Sequence, residues 1–427
     1  MKAPSALRLD RLIDATFLLT MPALAWFAVF GHRGAAVVAA LAALAIALRP
    51  SIWREGLPLL RPSHIARAPL PRAALAGLAF VLWIALTAFW SPVPGAPKLA
   101  LTVAVYGLAG GALVFEASRA SPARARRTAA LYAGAVTVAA AALLVEGVTG
   151  GALRAIVPPT DLSPLRFKDM TALARGVTLI APLAFPAAAI LYAMFGARAV
   201  AAAPIALTFA AAMQFSVAAN VAAMTFAALA GAAALWRPRA VLIALGALFL
   251  FSLLAAPLLV LAPADLVAGA DGALLPASWA QRVIVWKAAA ERIFGACAGL
   301  GCGADYTRAL MAEGVMIDVP ASPIPLQEAP THPHNLFVQV WLELGLPGVI
   351  ALALTLWFAM QRLVAVPLRR LPFAAIAAAA AATYISFMFE ASLWQAWRLA
   401  ILSLAAFGAA LSYSFNRSGQ NYRSRSS

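Results

Sequence analysis

Apolar residues in this chain run in long unbroken stretches, and polar residues fill the gaps between them. A helix needs about 20 apolar residues to cross a hydrocarbon layer of ~30 Å. Measured against that length, twelve stretches qualify: 13–31, 34–48, 73–91, 98–116, 128–149, 175–195, 199–215, 218–236, 240–261, 335–361, 371–390 and 396–414. The second and seventh are the shortest. The pattern predicts an all-α integral membrane protein with about twelve transmembrane helices. No internal repeat of the solenoid kind interrupts it. Three parts follow: 1–261 with nine helices and a small polar loop near 150–175, a long polar loop at 262–334, and 335–427 with three helices and a basic tail.

The long loop has order of its own. Residues 278–294, SWAQRVIVWKAAAERIF, place Val283, Trp286, Ala290 and Phe294 on one face near the 3.6-residue period, so an amphipathic helix is expected. Ser278 is its expected N-cap, and Arg282 lies near its start. A Gly-rich turn, GACAGLGCG, follows, then a Pro-rich stretch expected to be irregular, then THPHN at the mouth of the next apolar run.

Composition agrees with lipid as the solvent. The 427 residues are 64% hydrophobic and 11% charged, against roughly 25% charged in soluble domains. The first apolar run lacks a small-residue cleavage site and is followed by many more, so it is expected to stay as an uncleaved helix. The net charge of +16 does not point to nucleic acid, because the basic residues sit in short clusters between spans and no aromatic-basic module is present. Of the 32 Lys and Arg, 21 fall in the termini and loops on the N-terminal side of the layout. Cytoplasmic loops carry that excess, so both termini are expected in the cytoplasm and the two polar loops outside it. Those two loops break the trend with Arg154, Arg166, Lys168 and Arg175 in one and Arg282, Lys287, Arg292 and Arg308 in the other. An anionic substrate is the obvious reason.

Candidate chemistry collects on the same side. Cys297 and Cys302 allow either a short-range disulfide or two free thiols in a Gly-rich turn, and they lack the His pair that a zinc site needs. Of the four histidines, His32, His64, His332 and His334, the last two bunch at a helix mouth. Imidazoles there either cap the helix or act as acid, base or phosphate donor, and neighbouring outward arginines favour chemistry. Asn335, Gln339 and Glu343 recur every four residues on one face of the following helix. Glu343 either holds helices together or lines a substrate cavity. Glu116, Glu146, Glu390 and Arg398 are given only packing or interface roles.

The stretch THPHNLFVQVWLELGLPGVI resembles the signature of the O-antigen ligase/polymerase superfamily of bacterial membrane proteins. The matching residues are His334, Asn335, Glu343, Leu344, Gly345 and Gly348. Upstream, QRVIVWKAAAERIFGACAGLGCGADY matches in Arg282, Trp286, Gly299 and Gly301. A third segment, ARGVTLIAPLAFP, matches in Arg175 and Pro186, with Ala174 where relatives often carry Asn. The motifs cover about 70 residues, and the helix layout matches along the whole chain.

The resemblance implies a GT-C-like glycosyltransferase architecture in the bacterial inner membrane. It implies transfer of a glycan from undecaprenyl diphosphate to a sugar hydroxyl at the periplasmic face. Catalytic roles then fall to His334, Arg175 and Arg282, and substrate contacts to His332, Asn335, Gln339, Glu343 and Trp286. Negative charge grows on the departing diphosphate, which guanidinium forks suit. His334 serves either as base for the acceptor hydroxyl or, as imidazolium, as a phosphate ligand. No cofactor is implied, and no acidic pair in the outward loops suggests a divalent ion. The partners implied are the carrier-linked glycan, a lipid A–core acceptor and membrane lipids. One large and one small loop favour a ligase over a polymerase or a protein O-oligosaccharyltransferase. A transporter would show repeats and broken spans in both halves.

Overall fold

A computed structural model of the chain describes residues 4–49, 69–156, 166–215, 217–261, 277–317, 326–327, 331–367 and 369–423. His64, the start of the long loop and most of its Pro-rich stretch lie outside these residues. In the first part the helices are α1 Pro4–Phe30, α2 Gly34–Ala47, α3 Pro69–Thr87, α4 Pro97–Arg119, α5 Pro122–Thr149, the short α6 Ala152–Ile156, α7 Arg166–Phe195, α8 Arg198–Gln214, α9 Ala218–Trp236 and α10 Pro238–Leu259. The loop contributes α11 Ala277–Phe294, α12 Tyr306–Glu313 and a two-residue antiparallel pair, β1 Met316–Ile317 with β2 Leu326–Gln327. The last part holds α13 Leu336–Val364, α14 Arg370–Phe389 and α15 Ala396–Arg423.

Ten of the described helices are long and apolar enough to cross a membrane, and α2 and α8 are shorter apolar helices. The chain is therefore a multi-pass helical membrane protein. Large apolar side chains point outward along the bundle, among them Leu19, Leu82, Leu108 and Leu229. Water would not tolerate such a surface, whereas lipid tails solvate it. Inside, alanine dominates the contacts, and small residues let helices approach closely where lipid removes the hydrophobic drive to associate.

The interior divides into two cores. One joins α1, α2, α5, α7, α8, α9, α14 and α15 around Phe17, Tyr132, Ile180 and Phe407. The other joins α3, α10, α11 and α13 around Ile84, Leu253, Trp286 and Phe337. At one end of the first core, Arg124 pairs with Asp10 at 3.0 Å and Asp14 at 2.7 Å, while Arg49 pairs with Glu116 at 2.9 Å and also with Asp10. The opposite end carries the histidines and the loop helix.

The loop helix lies where its periodicity predicts, with one correction. Ser278 falls in its first described turn, and the expectation that its side chain caps the helix lies outside what is described. Val283, Trp286 and Ala290 are buried, but Phe294 is 57% exposed because the helix ends there and the chain turns away. The next turn is closed by a disulfide between Cys297 and Cys302.

That turn meets a break in α13. Gly345 leaves the helical region at φ 61°, ψ −166°. A Cβ at Gly345 would lie 2.3 Å from the Gly299 carbonyl oxygen, and one at Gly301 would lie 2.5 Å from the Gly345 nitrogen. Only glycine permits both the conformation and the approach. The carbonyls released by the break are satisfied from outside the helix. Leu342 accepts from the Cys302 N–H at 2.9 Å, Glu343 from the Gly303 N–H at 3.0 Å, and Leu344 from the Trp83 indole at 2.7 Å. The Leu346 N–H donates to the Gly299 carbonyl at 2.8 Å.

Candidate functional site

The N-terminus of α13 fixes the histidines. Asn335 is the N-cap: its side-chain oxygen accepts the N–H groups of Phe337 at 3.0 Å and Val338 at 3.2 Å. Directly before it, His334 stands at φ 55°, a left-handed conformation uncommon among non-glycine residues, in which asparagine, aspartate and histidine are enriched. Trp286 on α11 donates its indole N–H to the Pro333 carbonyl at 2.7 Å and packs near Phe389. The turn is thus held from below by a cap and from the side by the loop helix. The two imidazoles lie 4.3 Å apart between ring centres.

Two of the expected contact residues are enclosed instead. Glu343 is completely buried, and it accepts from the Asp305 N–H at 2.7 Å, the Thr307 hydroxyl at 2.7 Å, the Gln339 amide at 3.2 Å and the Trp394 indole at 2.5 Å. Gln339 turns its oxygen to the Leu393 N–H at 3.1 Å. Both tie α13 to the loop and to the segment between α14 and α15. They form the frame behind the histidines, and their polar atoms are used within the protein. Asn335 and Trp286 are similarly committed to holding the turn.

His332 is buried, with Nδ1 3.2 Å from the His334 N–H and Nε2 3.2 Å from the Gln395 amide nitrogen. A neutral imidazole has one lone pair for these two neighbours. Burial, followed by the positive field of His334, Arg398, Arg175 and Arg282, pushes His332 down to about 2. Burial likewise holds His334 down to about 3, with Arg282, Arg398 and Arg175 adding to the effect. Both rings are therefore neutral near pH 7, and His334 makes no side-chain hydrogen bond among the described residues. A neutral ring with an unengaged nitrogen can accept a proton.

Three arginines act on this pair from different elements. Arg175 projects from α7, where Gly176 packs so tightly on α1 that a Cβ would meet the Ala28 carbonyl oxygen at 2.0 Å. Arg282 comes from α11, and burial lowers its affinity for a proton while Glu390 opposes that effect. Neither guanidinium has a hydrogen bond or close ion pair among the described residues. Arg398, from α15, is the opposite case. It donates to Gln395 Oε1 at 2.6 Å, Ser386 Oγ at 2.5 Å and the Glu390 carbonyl at 3.1 Å, and it lies 4.4 Å from the Trp397 ring centre.

The sequence therefore brings His334, His332, Arg175 and Arg282 to one place, and the structure adds Arg398, Glu390, Gln395 and the α1–α2 turn. In that turn His32 is buried edge-on to Trp397 at 4.7 Å, and burial lowers it to about 3. Arg398 and Glu390 are among the charges expected to serve only packing or interface roles. An arginine and a glutamate bracketing a membrane-helix turn, in EASLWQAWR, are the signal that finds them, because charge at such depth is expensive. Two of the outward-loop bases have internal partners: Arg154 donates to the Val29 carbonyl at 2.9 Å and Arg308 to Asp305 at 2.7 Å. Among the described residues, no group of His, Cys, Asp and Glu is arranged to hold a metal ion. No family model matches the chain, and no curated protein matches it.

Proposed function

We propose that the chain is a glycosyltransferase of the bacterial inner membrane, acting as an O-antigen ligase. It takes a glycan from undecaprenyl diphosphate and joins it to a sugar hydroxyl of lipid A–core. The observation that carries this reading is the pairing of two uncommitted guanidinium groups, Arg175 and Arg282, with a neutral, uncommitted imidazole, His334. Two forks suit the oxygens of a diphosphate, and the imidazole suits the proton of an attacking hydroxyl. In this reading all twelve apolar helices span, both termini are cytoplasmic and the histidine end is periplasmic.

The acceptor oxygen attacks the anomeric carbon, and the bond from that carbon to the diphosphate oxygen breaks. The electron pair leaves with the diphosphate, where Arg175 and Arg282 stabilise it. His334 takes the hydroxyl proton. The donor also tunes its own base. Part of the depression of His334 comes from the arginines, and a bound diphosphate offsets their field, so the imidazole becomes more basic when donor is present.

The test is genetic and chemical. In a strain lacking the gene, a ligase reading requires long glycan to accumulate on the carrier lipid while the core stays bare. Core capped with a single repeat would mark a polymerase, and unchanged lipopolysaccharide would end both assignments.

A further inference from the structure

Positive charge at the junction of the two cores is held against its own repulsion. Arg175, Arg282 and Arg398 converge there from α7, α11 and α15. Glu390, at the C-cap of α14, acts on all three. Its Oε2 lies 3.6 Å from Arg398 Nη2 and 3.2 Å from the Thr178 hydroxyl. Thr178 is one turn along α7 from Arg175, and its hydroxyl is also 2.9 Å from Asn220 Oδ1. Asn220 in turn donates to the Ala174 carbonyl at 2.8 Å. In the other direction Arg398 reaches Gln395, and Gln395 reaches His332. Glu390 is thus the joint between the turn that carries Arg175 and the segment that abuts the histidines.

The carboxylate also borders a small cavity. That space, of about 20 Å³, is lined by Glu390, Arg398, Thr178, Asn220 and Ser386 among others, enough for about one water.

We propose that Glu390 is a positioning residue of the transfer site. Its carboxylate pairs with Arg398 and bonds Thr178, one turn from Arg175, and its charge competes with the donor's diphosphate for the arginine cluster. The inference rests on the function proposed above for the nature of the donor. Arg398 stays fixed by Gln395, Ser386 and the Glu390 carbonyl. Arg175 and Arg282, unpaired among the described residues, stay near this fixed charge and are open to the diphosphate when it arrives.

The experiment compares full-length wild type, Glu390→Gln and Glu390→Asp in liposomes, with inorganic pyrophosphate as the binding probe and carrier-linked glycan as the donor. Gln keeps the shape and removes the charge, and Asp keeps the charge. Glu390→Gln is expected to bind pyrophosphate about threefold or more tightly, since a competing anion is gone. Its kcat should fall about tenfold with donor KM unchanged or lower, which separates positioning from binding. Glu390→Asp should stay close to wild type in both. Equal or weaker pyrophosphate binding by Glu390→Gln overturns the proposal, as does a wild-type kcat. If wild-type protein transfers no glycan, the functional reading fails, and the pyrophosphate result still decides the charge-competition claim. A second measurement needs no variant: carbodiimide labelling of Glu390 should rise when pyrophosphate is added to wild type, and unchanged labelling overturns the proposal.

Discussion

The proposed reaction leans most on His334, whose backbone is held in an uncommon conformation. A non-glycine residue at φ 55° costs on the order of 1 kcal/mol or more, and it persists because Asn335, Trp286 and the frame around Glu343 hold the turn. Asparagine tolerates the left-handed region and has no basic nitrogen. His334→Asn should therefore insert and unfold like wild type while transfer falls by about 10²-fold or more, measured as glycan moved per enzyme in liposomes. His32, His332 and His334 also make stability depend on pH. Each has its folded value depressed well below the usual 6.5, so the unfolded chain takes up protons first as the pH drops. Stability is unaffected above about 6.5 and decreases below it, by up to about 1.4 kcal/mol per pH unit for each ring. The thermal midpoint in detergent should fall between pH 6.5 and 4, and His332→Gln should shallow that fall. An equal slope in the variant would remove His332 from the account.

Among the elements, α13 and the disulfide turn work as one unit. Gly345→Ala would force a methyl group to within 2.3 Å of the Gly299 carbonyl oxygen in a backbone conformation that alanine resists. It should sharply lower the yield of folded protein, read as the monodisperse fraction after solubilisation. Reducing the Cys297–Cys302 bond frees a short loop, for which the chain-entropy estimate is about 2 kcal/mol. Cys297→Ser with Cys302→Ser should lower the midpoint accordingly and leave the Trp83 bond to Leu344 in place. A midpoint that does not move would mean that the glycines and indoles hold the turn by themselves. The pattern of apolar runs showed α13 as one long span. Its break was hidden because Leu344, Leu346 and Val349 keep the hydropathy high on both sides, although Gly345, Pro347 and Gly348 stood together as a warning.

Across the whole molecule, the site sits where two cores meet. Arg175 lies beside Ala174 and Val177 of the first, while Arg282 shares a helix with Trp286 of the second and His334 immediately precedes the helix that opens with Leu336 of that core. If both arginines grip one diphosphate, Arg175→Ala and Arg282→Ala should each abolish most transfer, and the double variant should lose little more than either alone. Additive losses in kcat/KM would mean two separate anion sites. The layout of helices was legible in the sequence because membrane spans announce themselves by length and hydropathy. The amphipathic loop helix was legible because one face repeats at the helical period. His332, His334, Arg175 and Arg282 were legible as charge and imidazole placed against the trend around them. Glu390 and Arg398 were legible as charges bracketing a turn, but their meeting with Thr178 was not, since each stands in a different element and nothing in the linear pattern says which turns will touch. Glu343 was ambiguous for the same reason: its donors come from its own helix and from three remote residues, Asp305, Thr307 and Trp394.

The interlock between the disulfide turn and the break in α13 also orders how the protein is built. The carbonyls of Leu342, Glu343 and Leu344 find their partners in the Cys302 and Gly303 amides and the Trp83 indole, all made earlier in the chain than the break itself. The plug exists before the gap it fills. A nascent chain therefore already carries the partners of the break when it reaches the last three long helices.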